Sequence, residues 1–334
     1  MSRADVVLGL QYGDEAKGKV THYLARYKTY THVLRFNGGC NAGHTIYHKG
    51  KKFVTHHIPA GVFFGVKSII GPGCVVNKAQ FFKELQELRD GGLDVDNLVF
   101  IAENAHVITD EHLAEEQNES KIGTTKRGNG PAYRDKYARV GVRAKSVPDL
   151  QPYLIDLYEE FHNCEYDNCD LSVLCEGAQG FWLDIDWGDY PYVTSSHCGI
   201  ASALLNCIPP SWIQDIWGVG KIYETYVGAK QFEPQDEGDV FTKIRDIGQE
   251  YGATTGRPRQ CNWLNLDDLK KSIKLNDVNK LVINKMDVLR DLDVWTLINN
   301  NEKVSFETEQ EIEKYIREAL PVKEIYFSDN KYSL

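Results

Sequence analysis

"ADVVLGLQYGDEAKGKV", residues 4–20, decides how this chain is read. Its opening apolar run has the composition of a buried strand, and the Gly-rich turn that follows leads into a helical pattern over 17–27. Between them, Gly13, Asp14, Glu15, Ala16, Lys17, Gly18 and Lys19 fit the phosphate-loop pattern G-x-x-x-x-G-K. In that arrangement backbone N–H groups and a helix N-terminus face phosphate. A Ser or Thr should come next to hold magnesium, and here the residue is Val20. Asp14 is the nearest group that could take over that contact. Two carboxylates, Asp14 and Glu15, stand where a phosphate cradle ordinarily avoids negative charge.

Outward from this stretch, short β-branched runs alternate with helical patterns. Strands are expected at 4–10, 31–36, 53–58, 67–71, 97–102, 172–176, 213–223, 279–284 and 323–327. Helices are expected at 17–27, 78–90, 108–118, 148–162, 198–207 and 308–319. The alternation predicts an α/β fold: one large domain over residues 1–334, with a mostly parallel central sheet and long functional loops. A net charge of −10 argues against a protein that coats nucleic acid through phosphate contacts, although local positive charge can still hold a mononucleotide. No apolar stretch reaches the ~20 residues of a membrane span, and the N-terminus lacks the pattern of a signal peptide. A cytoplasmic protein is expected. Its eight cysteines include no C-x-x-C pair, so reduced thiols are expected rather than disulfides or a metal site.

Five loops between apolar segments are rich in Gly, Thr, Asn and Arg: "NGGCNAGHT" (37–45), "IGTTKRGNGPAYRDK" (122–136), "EGAQG" (176–180), "YPYVTSSH" (190–197) and "GATTGRPRQ" (252–260). Gly allows close backbone approach, while Thr hydroxyls and Arg forks suit phosphate and carboxylate oxygens. Together the loops predict a site built around a polyanionic ligand. His44 is either a loop histidine satisfied by backbone or a proton donor near a developing negative charge. Arg257 and Arg259, two apart, form either a solvated basic turn or a pair able to reach one carboxylate. "NKMD" at 284–287 is either a strand-ending turn or, like the N-K-x-D of GTPases, a guanine reader in which Asp287 accepts from N1–H and the 2-amino group. Alone, "EGAQG" and "DKYARVG" carry no functional signal.

Taken in order, "QYGDEAKGK", "NGGCNAGHT", "IGTTKRGNGPAYRDKYAR", "EGAQGFWLDIDWGDYPYVTSS", "YVGA", "YGATTGRPR" and "NKMDVL" resemble the adenylosuccinate synthetase family across most of the chain. The resemblance implies a ligase that joins aspartate to a purine nucleotide at the 6-oxo position, using a nucleoside triphosphate and Mg2+. It makes Asp14 the base for the purine N1 proton and a magnesium contact, with the Gly43 backbone as a second one. His44, Lys17 and Gln179 fall in the catalytic set. Gly13, Glu15, Ala16, Gly18, Lys19, Lys285 and Asp287 match donor-nucleotide residues. Asn41, Thr124, Thr125, Gln179, Thr194 and Val227 match residues around the purine monophosphate. Arg139 matches an arginine that reaches the nucleotide of a neighbouring subunit, implying a homodimer. Thr254, Thr255, Arg257 and Arg259 match the aspartate loop.

The chain also departs from the family pattern. Ala16 stands for Gly, Cys40 for His and Tyr226 for Arg, while the segment after "VGA" reads Lys230-Gln231-Phe232-Glu233-Pro234-Gln235 instead of "GPFPTE". "RPRQ" replaces a run of arginines, and the usual C-terminal "STGP" loop reads "YFSD" (326–329). These departures look most similar to the phage branch, whose members act on dGMP rather than IMP to supply 2-aminoadenine for phage DNA. On that reading the acceptor is dGMP, with IMP as the alternative, and the compartment is the host cytoplasm. The lost Gly-Pro loop favours ATP as donor, with GTP and dATP as alternatives. A regulatory GTP-binding switch is a rival reading, opposed by Val20 and by the arginine-bearing loop.

Overall fold

The computed structural model describes residues 1–119, 121–163, 170–234, 237–252 and 256–334. Nine strands form one sheet in the order Glu324–Ser328, Lys280–Asn284, Ile213–Lys221, Arg3–Gly9, Ser172–Glu176, His32–Arg35, Lys67–Ile70, Val99–Ala102 and Leu154–Ile155. Every neighbouring pair is parallel. The Arg3–Gly9 strand is buried on both faces from Ala4 onward, which explains its apolar composition; Asp5, the exception, accepts from Tyr30 and Lys28. In a parallel sheet, loops at the carboxyl ends of the strands form the natural ligand crevice. The phosphate loop, "EGAQG" and "NKMD" all leave the sheet at those ends.

The Lys17–Tyr27 helix packs Val20, Thr21, Leu24 and Ala25 inward. Its N-terminus has no side-chain cap: Ala16 occupies the capping position in a left-handed conformation, φ 70°. The Lys19 and Val20 N–H groups bond the Ala16 carbonyl, and those of Lys17 and Gly18 are left for another acceptor.

The structure differs from the sequence expectations in three places. The expected 53–58 strand is Lys51–Thr55, paired antiparallel with His44–His48 in a hairpin outside the central sheet. The expected 148–162 helix divides into a 3-10 turn over Pro148–Tyr153, the edge strand Leu154–Ile155 and a short helix over Leu157–His162. Pro152, inside the expected helix, lacks the N–H that a continuous helix needs there. Finally, "YFSD" is not mainly a loop: Tyr326, Phe327 and Ser328 end the Glu324–Ser328 edge strand. A second, four-stranded sheet of Tyr223–Tyr226, Gln260–Asn265, Trp295–Asn299 and Glu302–Phe306 carries the far side of the aspartate loop.

Candidate active site

The phosphate loop folds around its own second carboxylate. Glu15 is fully buried, and its Oε1 accepts from the backbone N–H groups of Gln11 (3.1 Å) and Gly13 (2.8 Å). Oε2 accepts from Lys17 Nζ at 2.6 Å. The Glu15 carbonyl accepts from Asn284 Nδ2 at 2.8 Å, tying the loop to the "NKMD" turn. Glu15 is thus the internal strut of the loop, and its negative charge is spent on Lys17 and two amides. Asp14, one residue earlier, faces outward: its carboxylate is 36% exposed and pairs with Arg259 Nε at 3.0 Å. The two carboxylates have opposite jobs.

His44 begins the hairpin and presses on Gly18; a Cβ there would lie 2.7 Å from His44 Cβ. Its Nδ1 lies 2.7 Å from Glu176 Oε1, and Arg35 Nη1 lies 3.1 Å from its Nε2. Arginine can only donate, so Nε2 accepts and the ring proton sits on Nδ1, given to Glu176. Burial, reinforced by Arg35, lowers the His44 pKa to about 4 against the opposing pull of Glu176. Glu176 itself is held below the usual carboxylate range: burial pushes it up, but Arg35 and His44 outweigh that. In this arrangement His44 is neutral and has no proton to offer outward.

Gln179 sits at φ 57° against the phosphate loop, and its Nε2 donates to Asn41 Oδ1 at 2.9 Å. Its buried Oε1 has no partner among the described residues. An acceptor in that state is suited to an N–H of a bound base. The 122–125 segment packs against 227–229, with Ala229 N bonded to the Ile122 carbonyl. Arg257 donates to the carbonyls of Gly123 and Thr124. Thr124, Val227 and Arg257 therefore share one wall. Behind it, Tyr226 packs edge-on to Tyr12 at 6.0 Å, and Tyr12 packs on Phe232 at 4.8 Å.

The remaining donor residues gather at the other end of the loop. Lys19 Nζ bonds Ser328 Oγ at 2.6 Å and the Asn330 carbonyl at 3.1 Å. Burial lowers its pKa to about 8, partly offset by Asp287. Lys285, left-handed at φ 72°, donates to the Gly248 carbonyl at 2.7 Å, and burial raises the Asp287 carboxyl.

Other candidates stand apart. Arg139 ends the Asn129–Ala138 helix in an exposed, left-handed position. Thr194 is placed by a backbone bond from its N–H to the Leu183 carbonyl, Thr125 lies in the 122–125 segment, and Gly43 directly precedes the hairpin. Thr254 and Thr255 lie outside the described residues. Asp184, Asp186 and His197 bring ligand atoms within 4.8 Å of one another. The buried Asp184 already accepts from the N–H groups of Asp186, Trp187 and Cys198. Sequence reading passed over Arg35, Glu176, Lys221 and Glu250. The available signal was a charge at the end of an otherwise apolar strand, visible at Arg35 in "THVLRF" and at Glu176 after "SVLC".

The adenylosuccinate synthetase family profile matches residues 6–163 and 144–300. The adenylosuccinate synthetase of Halothermothrix orenii is 39% identical, covering 86% of this chain and 78% of its own. That of Borrelia turicatae is 37% identical over 86% and 77%. Among solved structures, fully ligated adenylosuccinate synthetase from Plasmodium falciparum superposes with a TM-score of 0.83 at 27% identity, covering 98% of this chain and 97% of the other. Cyanophage S-2L succinoaminodeoxyadenylate synthetase, bound to dGMP and dATP, gives a TM-score of 0.71 at 22% identity over 96% and 99%, a likeness of fold alone. Sequence kinship with bacterial enzymes thus outweighs the phage-branch resemblance drawn from the departures. This chain belongs to the adenylosuccinate synthetase family and is a ligase of that type.

Proposed function

We propose that the protein joins L-aspartate to the 6-position of IMP, with hydrolysis of a nucleoside triphosphate. The supporting observation is the ion pair between Asp14 and Arg259, at 3.0 Å beside an uncapped helix N-terminus. It sets an outward-facing carboxylate, suited to removing a purine N1 proton, against an arginine suited to an amino-acid carboxylate. Deprotonation at N1 makes O6 nucleophilic toward the γ-phosphorus. The O6–P bond forms as the bond to the β-phosphate breaks. The aspartate amine then attacks C6 and phosphate leaves with O6.

Asp14 Oδ and the Gly43 carbonyl are hard oxygen donors of the kind that suits Mg2+ together with phosphate oxygens. When bound, the ion neutralises charge on the transferring phosphoryl group. Lys17 is committed to Glu15 and acts by shaping the loop. His44 takes part only after leaving Arg35, through a turn of its ring that releases Nε2.

A second acceptor reading, dGMP, draws on the aromatic wall. Tyr226 stands where the family has arginine and packs with Tyr12 and Phe232, offering ring surface in place of a hydrogen-bonding fork. The donor is likewise open to two readings. Asp287 suits guanine, whereas the Ser328 strand end, locked to Lys19, replaces a Gly-Pro loop and suits ATP. The assembly we propose is a homodimer in which Arg139 crosses to the partner; Tyr137 and Val140 beside it are exposed apolar surface that a second copy would cover.

A matrix of IMP, GMP and dGMP against ATP, dATP and GTP, scored by aspartate-dependent phosphate release, tests the ligase, acceptor and donor readings. Release with IMP but not dGMP is expected. The reverse pattern would establish the second reading, and release without aspartate would remove the ligase reading altogether. No helix among the described residues is long and apolar enough to cross a membrane.

A further inference from the structure

Glu250 precedes the 252–260 loop and belongs to none of its candidate ligands, yet its carboxylate is where several parts of the site meet. Oε1 accepts from the Tyr223 hydroxyl at 2.7 Å and from Lys221 Nζ at 3.2 Å, while Oε2 pairs with Arg259 Nη1. The Glu250 and Lys221 side chains are each 1% exposed. The same guanidinium forms an ion pair with Asp14, its Nε 3.0 Å from Oδ2 but not hydrogen-bonded to it. Main chain repeats the link, because Arg259 N donates to the Glu250 carbonyl at 3.0 Å and closes the base of the loop. Two residues upstream, the Gly248 carbonyl receives Lys285.

Burial alone would push the Glu250 carboxyl up, but Lys221 and Arg259 hold it down at about 2. It therefore remains an anion at any working pH. An isolated pair of this kind would contribute little to stability, since desolvation offsets the attraction. What it does provide is direction. A guanidinium gripped at Nη1 by a buried carboxylate cannot rotate freely about its long side chain, so less order has to be imposed when a ligand binds. Lys221 is in turn fixed to Thr225 Oγ1 at 2.5 Å, one strand position from the aromatic wall.

We propose that Glu250 is a positioning residue of the ligase: it holds Arg259 in the orientation that faces Asp14 and receives the carboxylate of the amino-acid substrate. This rests on the aspartate-dependent reading given above.

The experiment is steady-state kinetics with aspartate varied at saturating nucleotides, on the full chain and four variants. Glu250→Gln should raise the aspartate KM roughly tenfold or more, with a much smaller fall in kcat and an unchanged KM for the nucleoside triphosphate. Tyr223→Phe, which removes one bond to the carboxylate and no charge, should move the aspartate KM the same way by about twofold to threefold. In an Arg259→Ala background, Glu250→Gln should add almost nothing to the loss in kcat/KM for aspartate. A parental aspartate KM in folded Glu250→Gln would overturn the proposal, as would a fully additive double variant. So would a lowered melting temperature and kcat with no selective change in KM, the mark of a merely structural residue. Should Glu250→Gln not fold, an unchanged aspartate KM in Tyr223→Phe overturns it instead. Absence of aspartate-dependent phosphate release in the unaltered protein would defeat the ligase reading itself, and the proposal with it.

Discussion

Asp14 and His44, the two leading candidates for proton transfer, sit in opposite surroundings. Asp14 lies on an open loop, half in water, with one cationic partner that a substrate carboxylate can share. His44 is enclosed, with one ring nitrogen committed to Glu176 and the other facing Arg35. The first group is ready before any ligand arrives. The second is locked in a neutral state whose only N–H points away from the crevice. Readiness at one site and a latch at the other make the difference: on the proposed mechanism, the His44 ring must leave Arg35 before it can meet a phosphoryl group.

That contrast can be broken at several points. The largest expected effect is for Asp14→Ala, which should lower turnover by about 10²- to 10⁴-fold while nucleotide binding stays measurable by calorimetry. Near-normal turnover would take the base out of the open loop. Next, Glu15→Ala should destabilise the fold by roughly 3–5 kcal/mol in denaturant titration, because it strands the buried Lys17 ammonium. A loss confined to catalysis, with stability unchanged, would make Glu15 a twin of Asp14 rather than the strut of the loop.

His44 offers a pH signature. Its folded pKa, about 4, lies below the ordinary value of 6.5. The unfolded chain therefore binds the extra proton first, and stability is lost as pH falls from about 6.5 toward 4. Compared with His44→Gln, the parent should lose about 2–3 kcal/mol between pH 7 and pH 4.5. Parallel curves for the two proteins would show that the latch is absent in solution. The smallest effect is at Ala16, left-handed without being glycine. Ala16→Gly should stabilise by up to about 1 kcal/mol, visible as a small rise in melting temperature, because it relieves the Cβ clash. A fall would mean that unfolded-state entropy outweighs the strain.

Much of the sheet could be read from the sequence because strands such as Arg3–Gly9, Ser172–Glu176 and Lys280–Asn284 are buried on both faces through their middles and therefore carry apolar cores such as VVL, VLC and LVI. The second sheet could not. Gln260–Asn265 mixes Gln, Asn, Cys and Trp because only part of it is buried, and its start was absorbed into the Arg-rich loop. At the site, motif order identified the loops that converge but not what holds each side chain. Glu15 looked like a ligand-facing carboxylate and turned inward. Arg35 and Glu176 sit at strand ends, where a charge among apolar residues is meaningful only once the neighbouring strand is known. Glu250 depends on Lys221, 29 positions away, and no local pattern announces such a pairing.

The bond from Asn284 Nδ2 to the Glu15 carbonyl has a practical consequence for anyone re-engineering this chain. It welds the donor-base turn to the phosphate loop, although 269 positions separate them. Swapping residues 284–287 for another base reader would therefore not be a modular exchange. Any graft that loses the Asn284 amide would loosen the phosphate loop as well, so a switch of nucleotide preference should keep that asparagine and vary only what lies beyond it.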